Sequence, residues 1–158
     1  MLDLTMQKIR VALFFIFQMY LLYPLCSFGE TVYFYGNEVG HKDIQEVIEQ
    51  NPVGSQENIK STLIHKTEDM SIHLIQIRFK EKPHIHKTHD LLVTLKKGRG
   101  ILHIGNNVIT MSGDDTAIIP RGVVHYFENS GEGVAVGLGI FVPAYDGTDN
   151  VVVEERKP

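Results

Sequence analysis

At 158 residues the chain is long enough for one domain with a buried core. Its net charge of −4, from 15 basic and 19 acidic residues, leaves no basic face for phosphate contacts and argues against a nucleic-acid partner. Cys26 is its one cysteine, which excludes an intrachain disulfide, and 14 glycines without a tryptophan suit a turn-rich β protein.

The first segment reads as a targeting signal. Lys8 and Arg10 give it a basic start, and residues 11–25 are almost wholly apolar, broken by Gln18 and the helix-ending Pro24. A short basic start, an apolar core of about 7–15 residues and small residues behind it define a secretory signal peptide. The run is shorter than the roughly 20 residues a helix needs to span a bilayer, so no stable membrane anchor is expected after cleavage. Ser27 and Gly29 have the small-x-small spacing of a cleavage site, which places the cut after Gly29 and makes the protein secreted or periplasmic. Lipidation at Cys26 is disfavoured by the bulky Leu25 before it. Residues 30–158 then form one domain without cysteine, whose stability must come from a packed core.

Residues 31–35, with Tyr33, Phe34 and Tyr35, suit a short edge strand or a tail. Behind Asp43, a natural N-cap, Ile44, Val47 and Ile48 recur at helical intervals. Asn51-Pro52 ends that helix, because a residue before proline avoids helical geometry. Strands are expected over residues 59–66, 71–80, 91–95, 101–104, 108–111, 116–119, 123–127, 134–142 and 151–153. Gly105-Asn106-Asn107 reads as the tight turn of a hairpin. In 71–80, His73, Ile75, Ile77 and Phe79 share one face and Ile72, Leu74, Gln76 and Arg78 the other. Both faces call for cover, and a homodimer is expected to cover the outer one. Short strands at regular intervals predict an all-β sandwich or barrel.

The chemistry concentrates in residues 83–93, Pro-His-Ile-His-Lys-Thr-His-Asp-Leu-Leu-Val. Alternate residues of a strand leave one face, so His84 and His86 deliver two imidazoles into one space, half of a transition-metal site. In a chain with 8 histidines such a pair also arises without a metal, so it needs partners elsewhere. Residues 120–129, Pro-Arg-Gly-Val-Val-His-Tyr-Phe-Glu-Asn, offer His125 on a strand between Val123 and Phe127.

Together the two segments resemble the paired motifs of the cupin superfamily. The first motif has H-x-H, three or four residues, a glutamate, six residues and a glycine, and runs here from His84 to Gly98. The second, P-x-G-x-x-H-x-x-x-N, is matched position for position from Pro120 to Asn129. The resemblance covers residues 83–129 and is to small single-domain cupins of the cupin 2 conserved-barrel type. It implies an all-β, jelly-roll-like barrel with one short N-terminal helix, and a divalent metal held by His84, His86 and His125.

Two departures stand out. Gly113 precedes Pro120 by one residue more than the motif has, with Asp114-Asp115 between, an insertion a turn absorbs. Counting back from Gly98, the family's ligand glutamate falls on Leu91, within the inward set Leu91, Val93 and Leu95. Asp90 has outward parity and reaches a metal only through a one-residue bulge. His89 has inward parity, so the fourth ligand is Asp90, His89 or neither.

Neutral imidazoles leave the charge of a bound Fe, Mn, Ni, Cu or Zn ion uncompensated, so a three-histidine centre favours an anionic bidentate small molecule. Pocket walls are expected from His73, Leu91, Val93 and Phe127, with no general acid or base beyond His73. The reading is a secreted cupin that binds a metal and a small-molecule ligand. Its alternatives are a metal-dependent dioxygenase, by resemblance to the thiol and diketone dioxygenases, and a structural barrel without turnover.

Overall fold

The computed structural model describes residues 30–35 and 38–154. The expected leader, residues 1–29, with its cut after Gly29 and with Cys26, lies outside the described residues. Strands β1 (Glu30–Tyr35) and β2 (Glu38–Asp43) pair with each other as a separate antiparallel ribbon. The sequence reading foresaw the first of these and not the second. Helix α1 (Ile44–Gln50) follows at once, capped by Asp43, whose Oδ1 accepts the backbone N–H of Gln45 (2.7 Å) and Glu46 (3.2 Å).

The rest is β3 (Ile59–Lys66), β4 (Ser71–Ile77), β5 (His84–His86), β6 (Asp90–Lys97), β7 (Gly100–Ile104), β8 (Asn107–Met111), β9 (Thr116–Ile119), β10 (His125–Asn129), β11 (Ala135–Val142) and β12 (Asn150–Val152). They build two five-stranded antiparallel sheets, ordered β3-β4-β11-β6-β9 and β12-β5-β10-β7-β8. This is the jelly-roll barrel expected, with one short helix before it. Between the sheets lies one apolar core, with Ile77, Leu91, Leu95, Leu102, Ile119, Phe127 and Phe141 all buried. Gly100 is required there: a Cβ on it would stand 2.2 Å from Phe127 Cζ and 2.4 Å from the Glu128 carbonyl oxygen.

A second core explains why β4 is apolar on both faces. Ile72, Leu74 and Val136 point away from the barrel interior and are buried with Ile44 and Val47 of α1. The face assigned to a homodimer is thus covered within the chain, and the argument for a dimer contact there falls. Phe79 corrects a second expectation. The strand stops at Ile77 and the backbone passes to β10 of the other sheet, where the Asn129 N–H donates to the Phe79 carbonyl and the Glu81 N–H to the Phe127 carbonyl. Phe79 is left 67% exposed instead of inward.

The covering role of α1 is testable by equilibrium urea unfolding. We predict that Ile44→Ala, at a side chain 2% exposed, lowers stability by about 3 kcal/mol. A loss under about 0.5 kcal/mol, the size of a surface change, would mean the helix does not seal this face.

Candidate metal centre

Backbone pairing brings the two motif segments together. His125 of β10 lies opposite His84 of β5, and the Gly122 N–H donates to the His86 carbonyl oxygen at 2.7 Å. Gly122 has φ +76 with nothing near its missing Cβ, so glycine is needed there for conformation and not for space. Asn129 closes the motif structurally: its side-chain amide donates to the carbonyls of Arg78 (3.0 Å) and Gly133 (2.7 Å). The additional residue after Gly113 is absorbed by Asp114, which takes a left-handed conformation at φ +68.

The result is a cluster of three buried imidazoles, His84, His86 and His125, with one ring nitrogen of each within 4.8 Å of the others. Ring centroids stand 4.3 Å apart for His84 and His125, 5.2 Å for His84 and His86, and 5.4 Å for His86 and His125. Each Nδ1 faces an acceptor: the Lys82 carbonyl for His84 (2.8 Å), the Asp149 carboxylate for His86 (3.2 Å) and the Val123 carbonyl for His125 (2.9 Å). An acceptor can receive only an N–H, so each ring carries its proton on Nδ1 and presents the Nε2 lone pair to its neighbours. The His125 Nε2 is buried without a hydrogen-bond partner among the described residues. Such an orphan costs about 1–3 kcal/mol unless something occupies it, and a metal ion is what three converging lone pairs accept. The donor set fits a divalent transition metal.

Burial disfavours protonation of two of the rings, His125 and His86. It holds His125 down to about 4, against the bond to Val123 and aided by the neighbouring His84 and His86. His86 is also lowered by burial, which its bond to Asp149 opposes. Both rings are therefore neutral, the state in which imidazole ligates metals.

Asp149 is a residue the sequence reading missed. It is buried and accepts from Thr88 N–H (2.9 Å), Thr88 Oγ1 (2.8 Å), His86 and His89. Burial works against its charge, yet the bonds from His89, Thr88 and His86 outweigh that and hold its pKa well below the usual carboxylate range. It stands 63 residues from His86, in a stretch whose spacing carries no signal. Glu81 is the other omission. Its carboxylate accepts the Phe127 N–H at 2.8 Å beside the cluster. Burial raises its pKa, opposed by His84 and by the Phe127 N–H.

The two candidates for a fourth ligand do not join the cluster. Asp90 points outward, as its parity implies, and Arg121 takes it in a forked pair at 3.1 and 2.7 Å and by its backbone N–H at 2.9 Å. Those bonds hold the Asp90 carboxyl down to about 2. His89 is buried, but Nδ1 meets Asp149 and Nε2 meets the Ala144 carbonyl (3.1 Å), so neither nitrogen is turned to the cluster. His73 is also displaced from its expected part. It sits behind Phe141 and Tyr145, bonded to Ser61 and Ser71, and does not line the cavity.

That cavity, about 130 Å³, lies inside the barrel against the imidazoles. Leu91, Val93 and Phe127 line it as expected, together with Glu81 and Tyr145. Residues 72–141 match the family described as Cupin domain. The chain belongs to the cupin superfamily. This cupin is 40% identical over 113 residues to an uncharacterised protein of Aquifex aeolicus, across 72% of this chain and 92% of that one. A conserved protein with a double-stranded β-helix domain from Klebsiella pneumoniae shares its fold at TM-score 0.58 and 20% identity, covering 68% of this chain and 95% of its own. KdgF from a Halomonas species does so at TM-score 0.56 and 19% identity, covering 62% and 93%.

The neutral state of His125 sets a pH dependence. Its folded pKa of about 4 lies below the unfolded value of about 6.5, so between them the unfolded chain binds more protons and stability falls with falling pH. We predict that the urea midpoint of the metal-free protein is steady above about pH 6.5 and drops toward pH 4, with a shallower drop in His125→Phe. An identical slope in the variant would refute the assignment.

Proposed function

We propose that this cupin is an exported protein that binds one divalent transition metal through His84, His86 and His125 and holds a small anionic ligand against it. One observation carries the reading: three buried imidazoles each spend Nδ1 on an acceptor and turn Nε2 to a common point, with the His125 Nε2 left orphaned. Asp149 keeps the His86 proton on Nδ1 and so aims Nε2, as a carboxylate behind a ligating histidine does. A bound metal would supply Lewis acidity and an open coordination position. The proposed export rests on the basic start and apolar run of residues 1–29.

A dioxygenase is the second reading, and Glu81 favours it. A carboxyl whose pKa is raised by burial, on the wall of the cavity, can hold or release a proton at a bound substrate. Oxygen consumption with diketones, thiols and catechols separates the two readings, since a binder gives no uptake above the metal-free control.

Purified protein is expected to take up one equivalent of Fe, Mn, Ni, Cu or Zn by elemental analysis after dialysis. His84→Ala, His86→Ala and His125→Ala each abolish stoichiometric uptake, and Asp149→Asn weakens affinity about tenfold or more. Retention of full occupancy in the alanine variants would sink the proposal. Expressed in a bacterium with its first 29 residues, the chain should be recovered from the periplasm starting at Glu30 by intact-mass measurement. Recovery of the uncleaved form from the cytosol would remove the export reading.

A further inference from the structure

The walls of the cavity are sharply divided. Among the described residues its polar groups are the three imidazoles with Glu81, Ser61, Tyr145 and Asn150, and no lysine or arginine lines it. Ile59, Glu81, His84 and Asn150 also line an outer depression, so the mouth lies on the polar side, between the edges of β3 and β5–β12. The wall away from the mouth is hydrocarbon, with Leu91, Val93 and Leu95 from β6 facing Leu102, Met111 and Phe127. Leu91 and Leu95 are four residues apart on one strand, so this wall runs for about 13 Å.

Such a surface cannot accommodate a polyol or a phosphate. Each hydroxyl placed against it would lose its water without gaining a partner, and a phosphate would find no cation on that wall. A hydrocarbon body gains instead, by about fourfold in affinity for each methylene buried, the ratio that about 0.8 kcal/mol corresponds to. The room is limited: a dry cavity of about 150 Å³ holds one benzene ring, and this one measures about 130 Å³.

We infer that the ligand is a small monoanion of about six carbons in all, with one chelating head at the imidazoles and its hydrocarbon body along Leu91, Val93 and Leu95, and not a sugar, a sugar phosphate or a nucleotide. The inference rests on the metal-binding reading for the head and on the apolar wall alone for the body. Glu81 stands beside His84 at the mouth, its carboxylate anchored by the Phe127 N–H.

The test is calorimetric titration of the metal-loaded protein with 2-hydroxy acids of one head and increasing length: glycolate, 2-hydroxybutanoate, 2-hydroxyhexanoate and 2-hydroxydecanoate. Gluconate has the same head and carbon count as 2-hydroxyhexanoate but is hydroxylated throughout. Affinity should rise at least about fiftyfold from glycolate to 2-hydroxyhexanoate and gain nothing further at ten carbons, with gluconate no tighter than glycolate. Val93→Phe, which fills the far wall, should cut the advantage of 2-hydroxyhexanoate over glycolate at least about tenfold while metal stoichiometry stays unchanged. Should that variant fail to fold, Val93→Ala should move the optimum to a longer chain.

Stoichiometric metal with a flat length series, or with gluconate binding as tightly as 2-hydroxyhexanoate, overturns the inference and leaves the metal centre standing. Absence of metal uptake overturns the metal centre instead. The length series on metal-free protein then decides the body alone, a rise with length upholding it and a flat response overturning it.

Discussion

A buried imidazole has two nitrogens, and an apolar interior forgives neither one left without a partner. Three such rings meet in this barrel, and the structure around them is arranged to receive their Nδ1 protons. The carbonyls of Lys82 and Val123 are each two residues from the histidine they serve, so local backbone geometry provides them. His86 has no such neighbour and relies on Asp149 from the C-terminal segment. With all three protons placed on the outside, the lone pairs can only converge, at a cost of about 1–3 kcal/mol for each one unmet. That convergence is the physical core of the site.

The same need accounts for the C-terminal segment. β12 pairs with β5, the strand that carries His84 and His86, and this pairing sets Asp149 beside His86, Thr88 and His89. Phe141 stacks on Tyr145 at 4.8 Å, and both rings lie edge-on to His86 and His89. These contacts leave the imidazoles little freedom to rotate out of register. His89 and Asp90, adjacent in sequence, are thereby sent to opposite tasks: His89 locks the Asp149 corner, and Asp90 grips Arg121 across the turn that precedes His125.

Leu91 stands where the cupin pattern places a glutamate, and it contributes to the hydrocarbon wall. The missing carboxylate is not wholly absent from the electrostatics, because Asp149 sits one imidazole away behind His86. Its charge reaches the cluster through a hydrogen bond from behind His86, and not from the cavity side. A site of this kind leaves room for an anion from solution, and the apolar wall beyond Leu91 limits which anion can follow.

Strand alternation and motif spacing made much of this legible in advance. The cap at Asp43, the strand at residues 59–66, the inward set Leu91, Val93 and Leu95, and the placing of His84, His86 and His125 together all follow from local periodicity and two short motifs. Those features depend on neighbours in sequence, and a strand displays them whatever it packs against. The partners across the fold were not legible. The chain alone could not show that α1 covers β4, that Asp149 and not Asp90 serves the cluster, or that Glu81 lines the cavity and His73 does not. Each depends on which strand lies beside which, a matter settled by sheet order and loop closure over tens of residues. The sequence by itself determined the kind of barrel and the three imidazoles within it. Only the tertiary structure decided what holds those imidazoles in place and what shape of molecule can reach them, because burial and hydrogen bonding exist only once distant strands have met.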